Sequence, residues 1–277
     1  MLRIPNYRSL LNRKHPLNRG LVSEWVVLPG LVGGNKWFDI AGQNHGILTS
    51  GPTWQSKTRS GGFGSLSFAG ANDLVSINNA DLLNPPSEIS ISLWFKLVSK
   101  TGYRHFVVKQ ANNTWANPYA TYALRINASN QLEAWVNDGG LGGNYATSST
   151  TITDDNWHFA AMTYTQSLSL VIFLDGRMLT SKTISNPLNS SIYPLLLGSQ
   201  TGGADAFDGY LDNICLYNRY LTPEEILRLY IETKLGNPNR YNYLPYHIFG
   251  GGVPPLITRN LLLRNALGKQ LILRYDS

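Results

Sequence analysis

Cysteine is almost absent from this chain: Cys215 stands alone among 277 residues, which excludes an intrachain disulfide. It falls in the apolar run Ile214-Cys215-Leu216, where a thiol acts as a small buried hydrophobe. Charge is also scarce, at 14% of residues, so Asn, Ser, Thr and Tyr must cover much of the surface. No apolar run reaches the length of a membrane span, and the basic start lacks the apolar core of a secretion signal. These absences predict synthesis and folding in a reducing cytoplasm, with no membrane insertion. The N-x-S/T triplets at Asn112, Asn127 and Asn189 are then chance matches in an Asn-rich chain. His15, His45, His105, His158 and His247 are scattered without metal-ligand spacing, and the glycines form no phosphate-binding loop.

The charge that is present is unevenly placed. Residues 1–20 carry Arg3, Arg8, Arg13, Lys14 and Arg19 and no acid, while residues 234–277 carry Lys234, Arg240, Arg259, Arg264, Lys269 and Arg274 against Asp276. Each end thus holds +5 and leaves −4 on the body, given the total of +6. Basic ends on an acidic body predict arms that dock on acidic neighbours. No nucleic-acid-binding motif accompanies them, so nucleic acid is not an expected partner. Four segments follow: an extended basic arm over 1–19, a body over 20–233, a Gly/Pro/Tyr-rich linker over 234–255 and a basic apolar tail over 256–277. Within the tail, Leu261–Leu263 and Leu271–Leu273 read as two short strands, either offered to another chain or folded back over the body.

In the body, Ile89, Ile91, Leu93 and Phe95 alternate with Ser90, Ser92, Trp94 and Lys96, the period of a half-buried strand. Further strands are predicted over Leu21–Leu28, Ser65–Phe68, Leu74–Ile77, Phe106–Lys109, Tyr122–Ile126, Leu132–Val136, Trp157–Tyr164, Leu168–Leu174, Met178–Ile184 and Leu195–Leu197. Asp175-Gly176 suits a tight turn between two of them. Thr222, Pro223 and Glu225 form a capping box that starts a helix, with Ile226, Leu227 and Tyr230 on its apolar face. Many short strands with one late helix predict an all-β fold: an antiparallel two-sheet sandwich with a short C-terminal helix and extended basic termini.

The run Ala206–Tyr230 also resembles the closing signature of LamG-like, concanavalin A-type jelly-roll domains, at Phe207, Gly209, Leu211, Asp212, Ile214, Leu216, Tyr217, Leu221, Thr222 and Glu225. Gly20, Leu21, Val22 and Trp25, then Asp39, Gly42 and Gly46, match that family's first strand and loop, and Phe68–Val75 matches its hairpin. The resemblance covers residues 20–232 and implies a jelly-roll sandwich. It also implies three functional classes to weigh. Glucanases of this family carry a Glu-x-Asp-x-Glu or Glu-x-Asp-x-x-Glu strand that sets two carboxylates about 5–5.5 Å apart. This chain has neither pattern, Glu133 stands alone in its strand, and the sequence reads as non-enzymatic.

Calcium is implied by LamG-like and pentraxin-like relatives, with Asp39, Asn72, Asp73 and Asp212 as the matching oxygen donors. Sugar binding by aromatic faces and planar polar groups points to Trp115, Tyr119, Trp135, Asn137, Asp138 and Tyr145. Trp135 alternates with Leu132, Ala134 and Val136 in a way that turns it from the core. The start, with His15-Pro16-Leu17-Asn18-Arg19-Gly20-Leu21-Val22, resembles LamG-domain proteins among tailed-phage structural genes. The leading expectation is therefore a virion structural protein, on capsid or tail surface, made in the host cytoplasm and presenting the sandwich for glycan or host-surface adhesion. Its neighbours would be other virion proteins, gripped as a repeated subunit through Arg3, Arg8, Arg13, Lys14, Arg19, Arg259, Arg264, Lys269 and Arg274. The alternatives are a calcium-dependent lectin or adhesin of a cell and, more distantly, a jelly-roll glycoside hydrolase.

Overall fold

A computed structural model describes residues 10–28, 30–56, 58–111, 120–136, 144–166, 168–184, 187–203, 205–236, 240–241, 261–264 and 270–273. Two compact units are distinguished, Met1–Tyr243 and Leu244–Ser277. The strands of the first are β1 (Leu21–Trp25), β2 (Lys36–Trp37), β3 (Gly46–Thr49), β4 (Thr53–Gln55), β5 (Ser65–Ala69), β6 (Leu74–Ile77), β7 (Glu88–Leu97) and β8 (Arg104–Gln110). They continue with β9 (Ala120–Ile126), β10 (Gln131–Val136), β11 (Asn144–Thr151), β12 (Trp157–Thr165), β13 (Ser169–Leu174), β14 (Arg177–Lys182), β15 (Leu195–Leu197) and β16 (Asp208–Tyr217). One helix, α1 (Pro223–Lys234), follows.

The strands form two antiparallel sheets. The first runs β14-β13-β12-β7-β16-β5-β4, with β1 also paired to β16, and the second runs β11-β10-β9-β8-β15-β6-β3-β2. Their facing sides bury Ile89, Ile91, Leu93 and Phe95 of β7 against Phe106, Tyr122, Leu124, Leu132, Ala134 and Val136. This is the two-sheet sandwich that the alternating pattern predicts. Four strands escape that pattern, β2, β3, β4 and β11, because they are short or, like Asn144–Thr151, almost wholly polar.

The half-buried reading of β7 needs correction: Ser90, Ser92 and Trp94, on its second face, are buried as well. The reason is a lid on the outer side of the first sheet. Leu17, Leu221, Ile226 and Leu229 cover Trp94, Phe159, Ala161, Phe173, Cys215 and Tyr217, each large apolar side chain contributing about 1.5–3 kcal/mol. The capping box holds α1 in place: the Glu225 amide donates to Thr222 Oγ1 at 3.3 Å, and the Thr222 amide donates to Glu225 Oε2 at 3.0 Å. Trp94 Nε1 donates to Thr233 Oγ1 at 2.9 Å, and its ring stacks on Tyr230.

Residues 10–19, expected in the extended arm, lie against the body instead. Leu10, Leu11 and Leu17 are buried, Leu11 bridges Tyr241, and the Asn12 amide donates to the Arg240 carbonyl at 2.9 Å. Buried Arg240 donates to Asn18 Oδ1 at 3.2 Å, and Tyr241 Oη donates to Glu24 Oε1 at 2.8 Å. Cys215 sits beneath this cluster, its thiol pushed up to about 12 by burial and then by the Glu24 charge, consistent with an inert core residue.

Gly209 opens β16 at φ 152°, and a Cβ there would lie 2.1 Å from the Lys96 carbonyl oxygen, so only glycine fits this strand pair. Asp175 and Gly176, both at positive φ, make the tight turn between β13 and β14. The second unit contains β17 (Leu261–Arg264) antiparallel to β18 (Gln270–Leu273), with Leu261 opposite Leu273. Among the described residues no helix is long and apolar enough to cross a membrane.

Candidate functional site

The outer face of the second sheet gathers the chemistry. In the β9–β10 hairpin Arg125 lies opposite Glu133 and Ala123 opposite Trp135, while on the next strand Tyr145 lies opposite Trp135 and Thr147 opposite Glu133. Leu132, Ala134 and Val136 take the inter-sheet side, so the period of two turns Glu133 and Trp135 outward. The small side chain of Ala123 leaves the indole room over an apolar floor of Val108, Ala120, Ala123 and Leu196.

These side chains form a stripe of alternating rings and cations. The Arg125 guanidinium lies 4.5 Å from the Tyr103 ring centroid and 4.9 Å from that of Trp135. Trp135 stacks on Tyr145 with centroids 4.9 Å apart and planes 16° apart, and Lys182 Nζ sits 5.1 Å from the Tyr145 centroid. Trp135 is half-buried, whereas Tyr103 and Tyr145 are each 43% exposed. The rings open to solvent are thus the two tyrosines, braced by the indole and the guanidinium between them.

Electrostatics lock the brace. Arg125 and Glu133 are buried, which costs free energy unless their hydrogen bonds are satisfied. Arg125 Nε donates to Glu133 Oε1 at 2.7 Å and Nη2 lies 2.5 Å from the same oxygen. Trp135 Nε1 also donates to Oε1, and Thr147 Oγ1 donates to Oε2 at 3.3 Å. Glu133 is therefore occupied in positioning the stripe. Behind Arg125, His105 is held neutral, lowered to about 3 by burial and then by the Arg125 charge.

Of the residues expected to hold a sugar, Trp135 and Tyr145 come together, while Trp115, Tyr119, Asn137 and Asp138 lie outside the described residues. Of the other residues in the stripe, Glu133 enters the sequence reading only as a lone strand carboxylate, and Arg125, Tyr103 and Lys182 do not enter it. A signal exists for Arg125 and Glu133 together, because a hairpin turning at Asn127–Gln131 places residues 125 and 133 opposite each other. Tyr103 and Lys182 arrive from distant segments, and no local pattern announces them.

The three carboxylates among the four calcium candidates accept backbone amides. Asp39 Oδ1 accepts the amides of Glu24, Ala41 and Gly42, each at 2.9 Å, and Oδ2 accepts the Asn44 amide at 3.0 Å. Gly42 is required there, since a Cβ would lie 2.8 Å from Asp39 Oδ2. Asp212 Oδ1 accepts the Val27 amide, and Oδ2 pairs with Arg59 at 3.1 Å. Asp73 Oδ2 accepts the Ala69 amide at 2.8 Å, and Asn72 occupies a positive-φ turn position. Both oxygens of Asp39 and of Asp212 are thus committed to N–H donors, and among the described residues no three His, Cys, Asp or Glu side chains converge as a metal site.

Of the basic residues proposed for assembly, Arg13 donates to the Ala41 carbonyl at 2.8 Å, and the Arg19 carbonyl accepts from Arg219 Nε at 2.7 Å. Lys14 is exposed. Arg3, Arg8, Arg259, Lys269 and Arg274, and the side chain of Arg264, fall outside the described residues.

A family profile described as the concanavalin A-like lectin/glucanases superfamily matches residues 69–227, more than half of the chain. The chain belongs to that superfamily. Its jelly-roll sheets also superpose on solved binding domains. The binding domain of Paraclostridial Mosquitocidal Protein 1 matches with TM-score 0.62 and 16% identity, over 77% of this chain and 52% of that one. The binding domain of botulinum neurotoxin DC in complex with rat synaptotagmin II matches with TM-score 0.59 and 12% identity, over 78% and 52%. A botulinum neurotoxin type C structure, described as dependent for cell entry on interaction with two ganglioside molecules, matches with TM-score 0.59 and 13% identity, over 78% and 52%. The chain spans about half the length of these structures, and such identities establish the shared fold alone. No curated protein matches the chain.

Proposed function

We propose that this superfamily member is a non-enzymatic carbohydrate-binding module whose binding face is the stripe Tyr103–Arg125–Trp135–Tyr145–Lys182. The observation that carries the reading is the stack of Trp135 on half-exposed Tyr145, buttressed by a buried Arg125–Glu133 pair beside half-exposed Tyr103. Aromatic faces bind the apolar faces of sugar rings, and a preorganised platform loses little side-chain entropy on binding. A scaffold that only needed stability would gain little by burying an ion pair under exposed rings. The ganglioside interaction of the neurotoxin with a similar fold supports a saccharide as the ligand class.

Glu133 has the position of a strand carboxylate but the bonding of a brace, which favours binding over hydrolysis. Display of this face on a virion, held by the basic ends, is the context we propose for it, and co-purification of the protein with intact particles checks that placement. A glycan array probed with the full chain and with Tyr103→Ala/Tyr145→Ala tests the binding face. The wild type should bind a defined subset of glycans and the double variant should bind them at least about tenfold more weakly, the loss of one or two ring contacts. Equal binding by the variant removes this face from the function.

A further inference from the structure

The two cations of the stripe are not equivalent. Arg125 is buried and its charge is met by Glu133 at 2.5 Å. Lys182, the last residue of β14, is exposed and stands over Tyr145, and among the described residues it forms no ion pair. Its strand is an edge of the first sheet, and Tyr145 belongs to the edge strand of the second, so the ammonium projects where the two edges meet. The stripe therefore ends on its solvent side in an exposed ring beside a positive charge that has no acidic partner among the described residues.

From this juxtaposition we infer that the face selects anionic saccharides, with Tyr145 contacting the sugar ring and Lys182 Nζ pairing with a carboxylate or sulfate group. Lys182 is then a specificity-determining residue, while Arg125 positions the rings. A flexible lysine supplies a compact point charge without fixed geometry, so it discriminates charged from uncharged sugars and not one acid from another. The inference rests on the binding face proposed above.

The test compares matched sugars with and without an acidic group or an acidic residue. Full-length protein is titrated with oligogalacturonate and its methyl ester, and with a heparin-derived octasaccharide and its desulfated form, alongside an array of paired sialylated and unsialylated glycans. The acidic member of a bound pair should bind about three- to fivefold tighter, the range of one exposed charge pair, and the advantage should shrink as salt rises. Preference confined to the carboxylates or to the sulfated sugar identifies which anion is used. Lys182→Gln should bring the ratio of acidic to neutral binding near one, and Tyr145→Ala should weaken both members. Glycan binding without an acidic preference, or a preference that survives Lys182→Gln, overturns the inference but not the binding face. No binding to any glycan overturns both.

Discussion

Replacing Asp39 by Asn removes a charge and one acceptor from the loop that follows β2, and the bonds there allow the cost to be worked out. Oδ1 would remain a carbonyl oxygen facing the amides of Glu24, Ala41 and Gly42, each 2.9 Å away in the wild type. Those three bonds lose their charge assistance, about 0.5–1 kcal/mol each. The new amide nitrogen would face the Asn44 N–H, now 3.0 Å from Oδ2, leaving a donor against a donor at a further cost of about 1 kcal/mol in this part-buried position. The expected loss is about 3 kcal/mol for Asp39→Asn, and more for Asp39→Ala, which leaves all four amides without their acceptor. Urea unfolding followed by tryptophan fluorescence reads it as a lower midpoint at unchanged slope. A loss under about 1 kcal/mol would refute the assignment of these four bonds. A wild-type midpoint that rises with millimolar calcium, with the rise abolished in Asp39→Asn, would restore a cation role for this carboxylate.

Two histidines should shape the pH dependence from opposite sides. His105, lowered to about 3 by burial and Arg125, stays neutral when folded but protonates below about 6.5 when unfolded, so stability falls as pH drops through that window. Linkage places the loss at about 3 kcal/mol by pH 4.5, and His105→Gln should flatten the acid limb of a melting-temperature profile; an unchanged slope argues against a neutral buried imidazole. His158 is raised, first by its hydrogen bond to Asp175, so its contribution is full below 6.5 and disappears as pH rises through its folded value. Thr222→Ala removes the side-chain half of the capping box and should cost about 1 kcal/mol in the same urea assay, with no effect on glycan binding.

Much of the fold is legible because alternation and capping are local. β7, β12 and the β9–β10 hairpin follow from period-two patterns, and α1 follows from Thr222, Pro223 and Glu225. β11 is hidden because its inward positions are Ala146 and Ser148, too little apolar content to display a period of two, and with it goes the pairing of Tyr145 with Trp135. Residues 10–18 read as an arm because Pro16 and the basic residues mask three buried leucines. The proposed binding face is half visible in the sequence, through Trp135 and Tyr145, while Lys182 reaches it only by the meeting of two sheet edges. The calcium candidates share a physical cause with turns and clasps: a carboxylate that binds amides looks, in sequence, like one that binds a cation.

The indole N–H of Trp135 donates to Glu133 at the centre of the stripe, which makes it a direct reporter of the binding face. In a nitrogen-15 NMR titration of the full chain with an array-identified glycan, the Trp135 resonance, assigned by Trp135→Phe among the seven indoles, should shift furthest. A saturable shift centred on Trp135 and the backbone amides of Tyr103, Tyr145 and Lys182 is the predicted result. Saturable binding that leaves these signals unmoved and perturbs another surface would contradict the account.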